Sequence, residues 1–321
     1  MFAANLIKTF AHLYPLYSGY GRIANLQPCV RASAHVPSPC WTKLRAGPQI
    51  LVPLDDWVGR ALFYFGDLDP KLSWLCRRLL RQGDTMLDIG ANIGVMSLIA
   101  RGLVGAAGTV HAIEPQPRFV ELLRASASRN KFENLYVHQC ALGAQDQTLD
   151  LAVPDSNGGA ASFIRSLSAY KVITRVPVAV KHTSTYLDSL SLGRIRLIKI
   201  DVEGFEPQVI EGGMRYFGTH RPDSIVFELN DHSVKFFEQP VVRLLQSIDY
   251  AFLNIPKARL RMRLEPLIRE DQPYGHDILA MARGPTYADA LRCLEPAVAV
   301  AEQGAGDVGH GRTALEVNEA R

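Results

Sequence analysis

Short apolar runs alternate along most of the chain with segments in which apolar residues recur at helical spacing. The strand-like runs are TMLDIG (85–90), TVHAIE (109–114), LYVHQCAL (135–142), IRLIKID (195–201) and SIVFEL (224–229). The segments that favour helices are 94–104, 117–129 and 207–217. This alternation is typical of βαβ units, so we predict an α/β fold with a mostly parallel sheet and helices on both faces. Two further apolar runs, 250–255 and 277–283, are predicted to close the sheet with an antiparallel edge strand.

The same pattern divides the chain into three parts. Residues 1–48 form an extension punctuated by Pro and Ser, in which PCVRASAHVPSPC is not expected to adopt regular structure. The domain proper is predicted to span 49–284. Within it, TLDLAV (148–153) and RVPVAV (175–180) are predicted to pair around PDSNGGAAS, whose Gly and Ser content suits a flap. The tail, 285–321, is predicted to be disordered apart from a short helix around ADALRCL.

The composition gives limited information about the cellular compartment of the protein and about its class of partner. The 35 basic and 32 acidic residues leave a formal charge of +3, too small to indicate nucleic acid or an anionic membrane as a general partner. Five widely spaced cysteines without a CxxC pair are typical of thiols in a reducing compartment, so we predict a cytoplasmic protein. We recognise neither a secretory signal nor an apolar run that reaches the roughly eighteen residues of a transmembrane segment.

The N-terminal part of the chain has a local charge bias. Residues 1–50 contain no Asp or Glu, and their basic residues are Lys8, Arg22, Arg31, Lys43 and Arg45. Two interpretations stay open, namely a solvated extension laid over the domain and an arm that binds a membrane surface or a partner.

The stretch LDIGANIG joins a predicted strand directly to a predicted helix. Gly90 and Gly94 allow the backbone to approach a ligand closely, and the start of the helix offers free N–H groups. A dinucleotide fingerprint would require GxGxxG, but Asn92 and Val95 stand at two of its glycine positions. A site for pyrophosphate is therefore not expected.

The next predicted strand ends in Glu114, which is followed by Pro115. A carboxylate at this position can accept hydrogen bonds from both ribose hydroxyls of a nucleoside. Together with the glycine loop it indicates a nucleoside ligand that lacks a pyrophosphate, of which S-adenosylmethionine is an example.

Several stretches together resemble one family, the FkbM-type S-adenosylmethionine-dependent methyltransferases. The resemblance covers about residues 50–283, and its motifs are DIGANIG, AIEP, ALG (141–143), YLDSL (186–190), LIKIDVEGFEPQVIEGG and IVFEL. It implies a class I (Rossmann-like) methyltransferase fold with a seven-stranded sheet. It also implies methyl transfer, typically to a hydroxyl oxygen of a sugar, a glycan or a natural product.

The resemblance further implies a set of cofactor-binding residues: Asp88, Gly90, Ala91, Asn92, Gly94, Glu114, Ala141 and Leu142. The residues of the glycine loop would contact the methionine part of S-adenosylmethionine, and Glu114 would contact the ribose. Ala141 and Leu142 would lie beside the adenine, where Asp146 is a looser candidate for a polar contact.

The catalytic candidates are carboxylates at the ends of two predicted strands. Methylation of a hydroxyl needs an oxygen held close to the methyl group and a base, or a metal ion, that assists loss of its proton. Asp201 is the leading candidate for the base or for an anchor of cofactor and substrate, and Glu203 and Glu228 follow it. Glu203 and Glu206 have another interpretation, because acids are also favoured at the start of a helix.

A divalent cation is possible in this region but is not favoured, and no metal site is predicted. It would require convergence of hard ligands drawn from Asp201, Glu203, Glu228, Asp231 and His232, which sequence spacing cannot establish. His182 and His232 are weaker candidates for functional residues near the rim.

Two other functions stay open at this stage, a nicotinamide-dependent oxidoreductase and a non-catalytic adenosyl-binding protein. The missing GxGxxG counts against the first, and the two acids at 201 and 203 count against the second. A small-molecule or glycan acceptor is expected, and a protein acceptor also stays open. Nucleic acid is not expected, because there is no basic stripe with interleaved aromatic residues and no NPPY-type loop after the fourth strand. The sequence does not indicate an oligomeric state.

Overall fold

A computed structural model describes residues 2–14, 18–45, 47–164, 173–256, 262–285 and 287–294 of the protein. Its helices within these ranges are α1 (Phe2–His12), α2 (Tyr20–Ala24), α3 (Gln27–Ser33), α4 (Trp57–Phe65), α5 (Pro70–Leu79), α6 (Val95–Val104), α7 (Pro117–Arg129), α8 (Thr183–Ser189), α9 (Glu206–His220), α10 (Pro240–Ser247) and α11 (Tyr287–Leu294). The first strands are β1 (Cys40–Lys43), β2 (Gln49–Val52), β3 (Thr85–Ile89), β4 (Thr109–Ile113), β5 (Leu135–His138), β6 (Ala141–Gly143) and β7 (Gln147–Pro154). The later strands are β8 (Ile173–His182), β9 (Ile195–Ile200), β10 (Ser224–Glu228), β11 (Tyr250–Ile255), β12 (Glu265–Leu267) and β13 (Asp277–Ala282).

The main sheet has eight strands in the order β12-β11-β13-β10-β9-β3-β4-β5. The five strands from β10 to β5 are parallel, and the neighbours Leu197 and Ile198 of β9 face two different hydrophobic cores. One core includes residues of α5, α6 and α7, and the other includes residues of α9 and α10. The predicted class I α/β fold, with helices covering both faces of a mostly parallel sheet, is confirmed.

Two details of the main sheet differ from the prediction. The antiparallel strand β13 lies between β10 and β11 instead of at the edge, because it pairs with both of them. An eighth strand, β12, pairs with β11 at the edge of the sheet. Its sequence EPL is only three residues long and has no apolar alternation, so the pattern did not reveal it.

A second sheet has the order β6-β8-β7. The antiparallel pairing of β7 with β8 confirms the predicted pair around the flap, with Leu149 opposite Val178. The prediction of one strand over 135–142 is wrong, because β5 belongs to the main sheet whereas β6 pairs with β8. Apolar residues continue across this break, since both strands bury side chains, and their pattern therefore does not mark the change of sheet.

The N-terminal extension contains helices that pack on the rest of the chain. The expectation that PCVRASAHVPSPC lacks regular structure is wrong for its first part, where α3 has Pro28 in its first turn, a position that proline favours. Ala4, Ala24 and Ala32 belong to the same hydrophobic core as Leu62 of α4. The helix predicted around ADALRCL is confirmed as α11, and the tail after 294 lies outside the described residues. The boundaries at 48 and 284 stay predictions.

The segment before the main sheet contributes two helices that sequence analysis did not separate. Asp56 is the N-cap of α4, and Asp69 is the N-cap of α5, which has Pro70 in its first turn. Both caps lie close to the carboxyl edge of the main sheet, where the candidate site is found. No helix in the described part of the chain combines the length and apolar character that crossing a bilayer requires.

Candidate active site

A cavity of about 530 Å³ lies at the carboxyl edge of the main sheet. Open α/β sheets bind ligands at this edge, where loops follow the parallel strands. The predicted site residues that line the cavity are Gly90, Ala91, Asn92, Glu114, Ala141, Leu142, Asp201, Glu203 and Glu228. The structure thus brings the predicted cofactor residues and the predicted catalytic carboxylates into one space.

Asp88 and Gly94, two predicted cofactor contacts, do not belong to the cavity lining. Asp88 is fully buried, and its Oδ2 accepts a hydrogen bond of 2.6 Å from the hydroxyl of Ser97. Gly94 has a φ of +90°, and a Cβ there would lie 2.0 Å from Cδ1 of Leu123. Both residues lie outside the cavity lining. This geometry does not favour direct contact with a cofactor, which stays a prediction.

Gly90 brings the glycine loop into backbone contact with the end of β9. Its φ is +78°, and a Cβ at this position would lie 1.9 Å from the carbonyl oxygen of Asp201. Only a residue without a side chain fits both the left-handed conformation and this close approach. Asn92 has a φ of +53°, and its Oδ1 accepts a 2.7 Å hydrogen bond from the N–H of Ile93. The loop is therefore fixed in shape by its own residues.

Glu114 is a buried carboxylate in the cavity wall with two backbone donors. Its Oε2 accepts from the N–H of Asn92 at 2.8 Å, and its Oε1 accepts from the N–H of Gln116 at 2.9 Å. Each carboxylate oxygen can accept a second hydrogen bond, so both oxygens can also serve a ligand diol. Burial raises the pKa of Glu114 to about 7, and the two backbone N–H groups oppose this rise.

Lys199 is a central residue of the site that sequence analysis missed. Its Nζ donates to the carbonyl oxygen of Gly90 at 2.8 Å and lies 3.3 Å from Oδ1 of Asp88 and 3.3 Å from Oδ2 of Asp201. Burial alone would lower the pKa of Lys199, but the carboxylates of Asp201 and Asp88 raise it above its usual value. The sequence did contain a sign of this role. Lys199 stands two residues before Asp201, and side chains at this spacing in an extended chain point to the same side.

The carboxylates opposite the glycine loop lie close enough to influence one another. Repulsion from Asp201, followed by burial, raises the pKa of Glu228 well above its usual value. Glu228 lies opposite Asp277 in the pairing of β10 with β13, and Asp277 forms an ion pair with Lys71 of α5. Burial raises the pKa of Asp277 to about 6, and the Lys71 ammonium opposes that rise.

Glu203 and Glu206 differ in their surroundings. Glu203 lines the cavity, has a φ of +54°, and its carbonyl oxygen accepts a 2.8 Å hydrogen bond from the hydroxyl of Ser162. Glu206 is buried, and its Oε1 accepts from the N–H groups of Val202 at 2.9 Å and Gly204 at 3.3 Å. Glu206 therefore stabilises the turn that leads into α9, which agrees with its structural interpretation.

The five residues considered for a cation do not all come together, because Asp231 and His232 lie outside the cavity that the other three line. Among the described residues, no group of three or more His, Cys, Asp or Glu side chains has an arrangement suited to a metal ion. Asp231 accepts from the N–H and hydroxyl of Ser233, and Nε2 of His232 lies 3.2 Å from Nδ1 of His276. Both pairs lie outside the cavity lining.

The two residues considered near the adenine edge and the rim bind to each other instead. His182 accepts from the N–H of Thr185 as the N-cap of α8. Asp146 is exposed, and its Oδ1 accepts from the N–H of His182 at 2.8 Å. Neither residue belongs to the cavity lining, so the placement of Asp146 beside the adenine is not supported.

The loop that was predicted as a flap lines the cavity through residues 157–161 and is tied down at several points. Oδ2 of Asp56 accepts from the N–H of Gly158 at 2.7 Å, and Nε2 of Gln116 donates to the Gly158 carbonyl at 3.0 Å. The N–H of Trp57 donates to the carbonyl of Ser156 at 3.0 Å. The start of α4 thus fixes this wall of the site. Asp56 was also missed, although an Asp just before an apolar helical run is a helix-start signal.

The chain matches a family model and resembles several known proteins. A sequence model of the methyltransferase FkbM domain matches residues 88–257. The 31-O-demethyl-FK506 methyltransferase FkbM of Streptomyces tacrolimicus is 33% identical, over 48% of this chain and 69% of that protein. Methyltransferase 1 of Beauveria bassiana is 28% identical over 40% of this chain, and the match spans only 57% of that protein. A solved S-adenosylmethionine-dependent O-methyltransferase of Thermotoga maritima has a TM-score of 0.38 and 14% identity, over 76% of this chain and 77% of that one.

Proposed function

Because this chain belongs to the FkbM methyltransferase family, and is thus an S-adenosylmethionine-dependent methyltransferase, we propose a hydroxyl oxygen as the atom that it methylates. The acceptor class that we propose is a sugar, a glycan or another natural product. The Streptomyces relative is named for 31-O-demethyl-FK506, which supports an oxygen acceptor. Because the chain belongs to this family, we prefer a methyltransferase over the two alternatives, an oxidoreductase and a non-catalytic adenosyl-binding protein.

We assign the cofactor to the half of the cavity formed by the glycine loop and the end of β4. Glu114 would hold the ribose, since both of its oxygens can accept further hydrogen bonds beside the cavity. The loop 90–92 would hold the methionine part, and the apolar residues Ala141 and Leu142 would lie against the adenine. Bound S-adenosylmethionine supplies an electrophilic methyl group, and the task of the protein is to hold an acceptor oxygen close to it.

The position of Asp201 carries the proposal. Asp201 follows β9 directly, touches Gly90 through its backbone and lines the same cavity as Glu114. Lys199 forms an ion pair with Oδ2 of Asp201, so Oδ1 can accept the proton of an acceptor hydroxyl. Glu228, at the end of the neighbouring strand, is the second candidate for this base. Repulsion from Asp201 and burial raise the pKa of Glu228, so this carboxylate holds a proton more tightly than an ordinary Glu.

We also propose a cytoplasmic location. All five cysteines are free thiols in the structure. Free thiols of this kind are typical of a reducing compartment. If the natural protein were isolated from a periplasmic or secreted fraction with its thiols oxidised, this location would be contradicted.

The acceptor is tested by labelling a cell extract. The extract is incubated with purified protein and S-adenosylmethionine carrying an isotopic methyl group, and its small-molecule and protein fractions are analysed separately by mass spectrometry. We expect label on an oxygen of a small hydroxylated molecule or glycan, and loss of that label with Asp201→Asn. The variant Asp150→Asn, at an exposed carboxylate on β7, serves as the matched control. Label found only on protein, or on nitrogen, would refute the proposed acceptor.

A further inference from the structure

Helix α1 and the residue that follows it expose four large apolar side chains. The exposed fractions of four large apolar residues are 84%, 49%, 66% and 75% for Phe2, Leu6, Phe10 and Leu13. Phe2, Leu6 and Phe10 are four residues apart and therefore lie on one side of α1, and Leu13 follows the end of the helix directly. The opposite side carries Ala4 and Ala11, which are buried in the core. We call the four exposed residues the apolar stripe. Its orientation is the reverse of that expected for a helix whose only role is to cover the domain.

The body of the protein holds α1 in this orientation. Nζ of Lys8 donates to the hydroxyl of Thr42 at 2.7 Å and lies 4.6 Å from the ring centroid of Phe63. Nη2 of Arg45 donates to the carbonyls of Ala11 at 3.2 Å and Tyr14 at 3.3 Å. The apolar stripe is therefore presented outward by specific contacts on the other side of the helix. A contiguous apolar surface of this kind marks a site of interaction.

The charge of the N-terminal region indicates what covers the apolar stripe. Five of the 35 basic residues and none of the 32 acidic residues lie within positions 1–50. Arg31 on α3 and Lys43 on β1 are exposed, and both elements neighbour α1. Trp41, also on β1, is 40% exposed, and tryptophan is favoured where a membrane meets water. A second copy docked through the same face would bring like charges together, whereas an anionic surface would attract them.

We propose that α1 binds the surface of an anionic lipid bilayer. The apolar stripe inserts at the boundary between headgroups and acyl chains, and Arg31 and Lys43 contact lipid phosphates. The helix lies in the plane of the interface, which needs no membrane-spanning segment. This proposal does not depend on the identity of the methyl acceptor.

Vesicle flotation of the full chain tests the proposal. We expect binding to vesicles of phosphatidylcholine with phosphatidylserine to be about tenfold tighter than binding to phosphatidylcholine alone, and to weaken at high salt. The double variant Phe2→Ser/Phe10→Ser should lose most of the binding. The variant Arg31→Gln/Lys43→Gln should lose only the preference for anionic vesicles. Ile268→Ser replaces another exposed apolar residue, 70% exposed and outside the N-terminal region, and should bind as the parent does.

Two controls keep the result interpretable. Thermal unfolding and calorimetric titration with S-adenosylhomocysteine should be the same for the parent and for every variant, which shows that loss of vesicle binding is not loss of fold. Equal flotation of the parent and the Phe2→Ser/Phe10→Ser variant would overturn the proposal. So would absence of the parent from both kinds of vesicle, or a dimer of the parent in solution that this double variant abolishes.

Discussion

The ammonium nitrogen of Lys199 lies 3.3 Å from a carboxylate oxygen of Asp201, and the Lys199 side chain is only 8% exposed. The same nitrogen lies 3.3 Å from Asp88 and donates to the carbonyl of Gly90. A single buried cation thus joins the end of β3, the glycine loop and the residue that follows β9. Asp88, which sequence analysis placed at the cofactor, takes part in this arrangement through its ion pair with Lys199.

Replacement of Lys199 by Met should destabilise the protein by roughly 3–5 kcal/mol, because it leaves the buried carboxylate of Asp88 without its cation. Denaturation by urea measures this change in the free energy of unfolding. Lys181→Met removes an exposed lysine on β8 and should change it by less than about 0.5 kcal/mol. Equal stabilities of the two variants would show that the buried cation is not needed.

Gly90→Ala should lower the free energy of unfolding by at least about 2 kcal/mol and weaken cofactor binding. Its Cβ would meet the carbonyl of Asp201 at 1.9 Å, and its φ of +78° is strained for alanine. Gly102→Ala is the matched control, since its Cβ would point into open space from helix α6. That change should raise stability by about 0.5–1 kcal/mol. A Gly90→Ala protein as stable as the parent would contradict the close approach.

The affinity for S-adenosylmethionine should rise with pH through about 7. Burial raises the pKa of Glu114 from 4.5 to about 7, and a ribose diol donates best to the ionised carboxylate. Calorimetry in buffers of different ionisation enthalpy should therefore detect proton release on binding below pH 7. Glu114→Gln should bind more weakly and lose this pH dependence. A flat affinity for the parent from acidic to alkaline pH would remove Glu114 from the ribose site.

The same raised pKa affects stability with the opposite sign. Between pH 4.5 and about 7 the folded protein holds a proton on Glu114 that the unfolded chain releases. The contribution of this group to stability is therefore greatest below pH 4.5 and is lost as the pH rises through about 7. The difference in stability between the parent and Glu114→Gln, measured across this range, should follow that direction.

Asp201→Asn should lower kcat by about a hundredfold or more, with little change in the affinity for S-adenosylmethionine. The reason is that the amide cannot accept the proton of an acceptor hydroxyl. Glu203→Gln is the comparison, because it changes a neighbouring carboxylate of the same cavity that we do not assign as the base, and it should cost less than about threefold in kcat. Steady-state kinetics and calorimetry separate the two effects. An equal loss of cofactor affinity and turnover in Asp201→Asn would make Asp201 an anchor instead of a base.

Asp56→Ala should loosen the loop that lines the cavity. Asp56 caps α4 and also accepts from the N–H of Gly158, so we expect faster hydrogen exchange at that amide and a loss of about 1–2 kcal/mol. The adjacent Asp55 forms an exposed ion pair with Arg118, and Asp55→Ala should cost less than about 1 kcal/mol. Unchanged exchange at Gly158 in Asp56→Ala would refute this anchoring role.

Local pattern was sufficient for much of the framework. The predicted helix 117–129 coincides with α7, because Pro117 marks its start and its apolar spacing is regular. The strands β3, β4, β9 and β10 were found from their apolar runs. The apolar pattern gave a wrong prediction where the chain passes from one sheet to the other between β5 and β6. Apolar periodicity indicates which residues are buried, but it does not indicate which strand is the hydrogen-bonding neighbour.

The sequence by itself determined the family, the βαβ order, the glycine loop and the carboxylates that end the strands, because each is written in consecutive residues. The tertiary structure alone decided which of these groups meet. Lys199 and Gly90 are 109 residues apart, and Asp56 and Gly158 are 102 residues apart, yet both pairs form hydrogen bonds. It also decided that α1 turns Ala4 and Ala11 inward and Phe2 and Phe10 outward. Such choices depend on packing between distant segments, and local propensity and periodicity do not encode them.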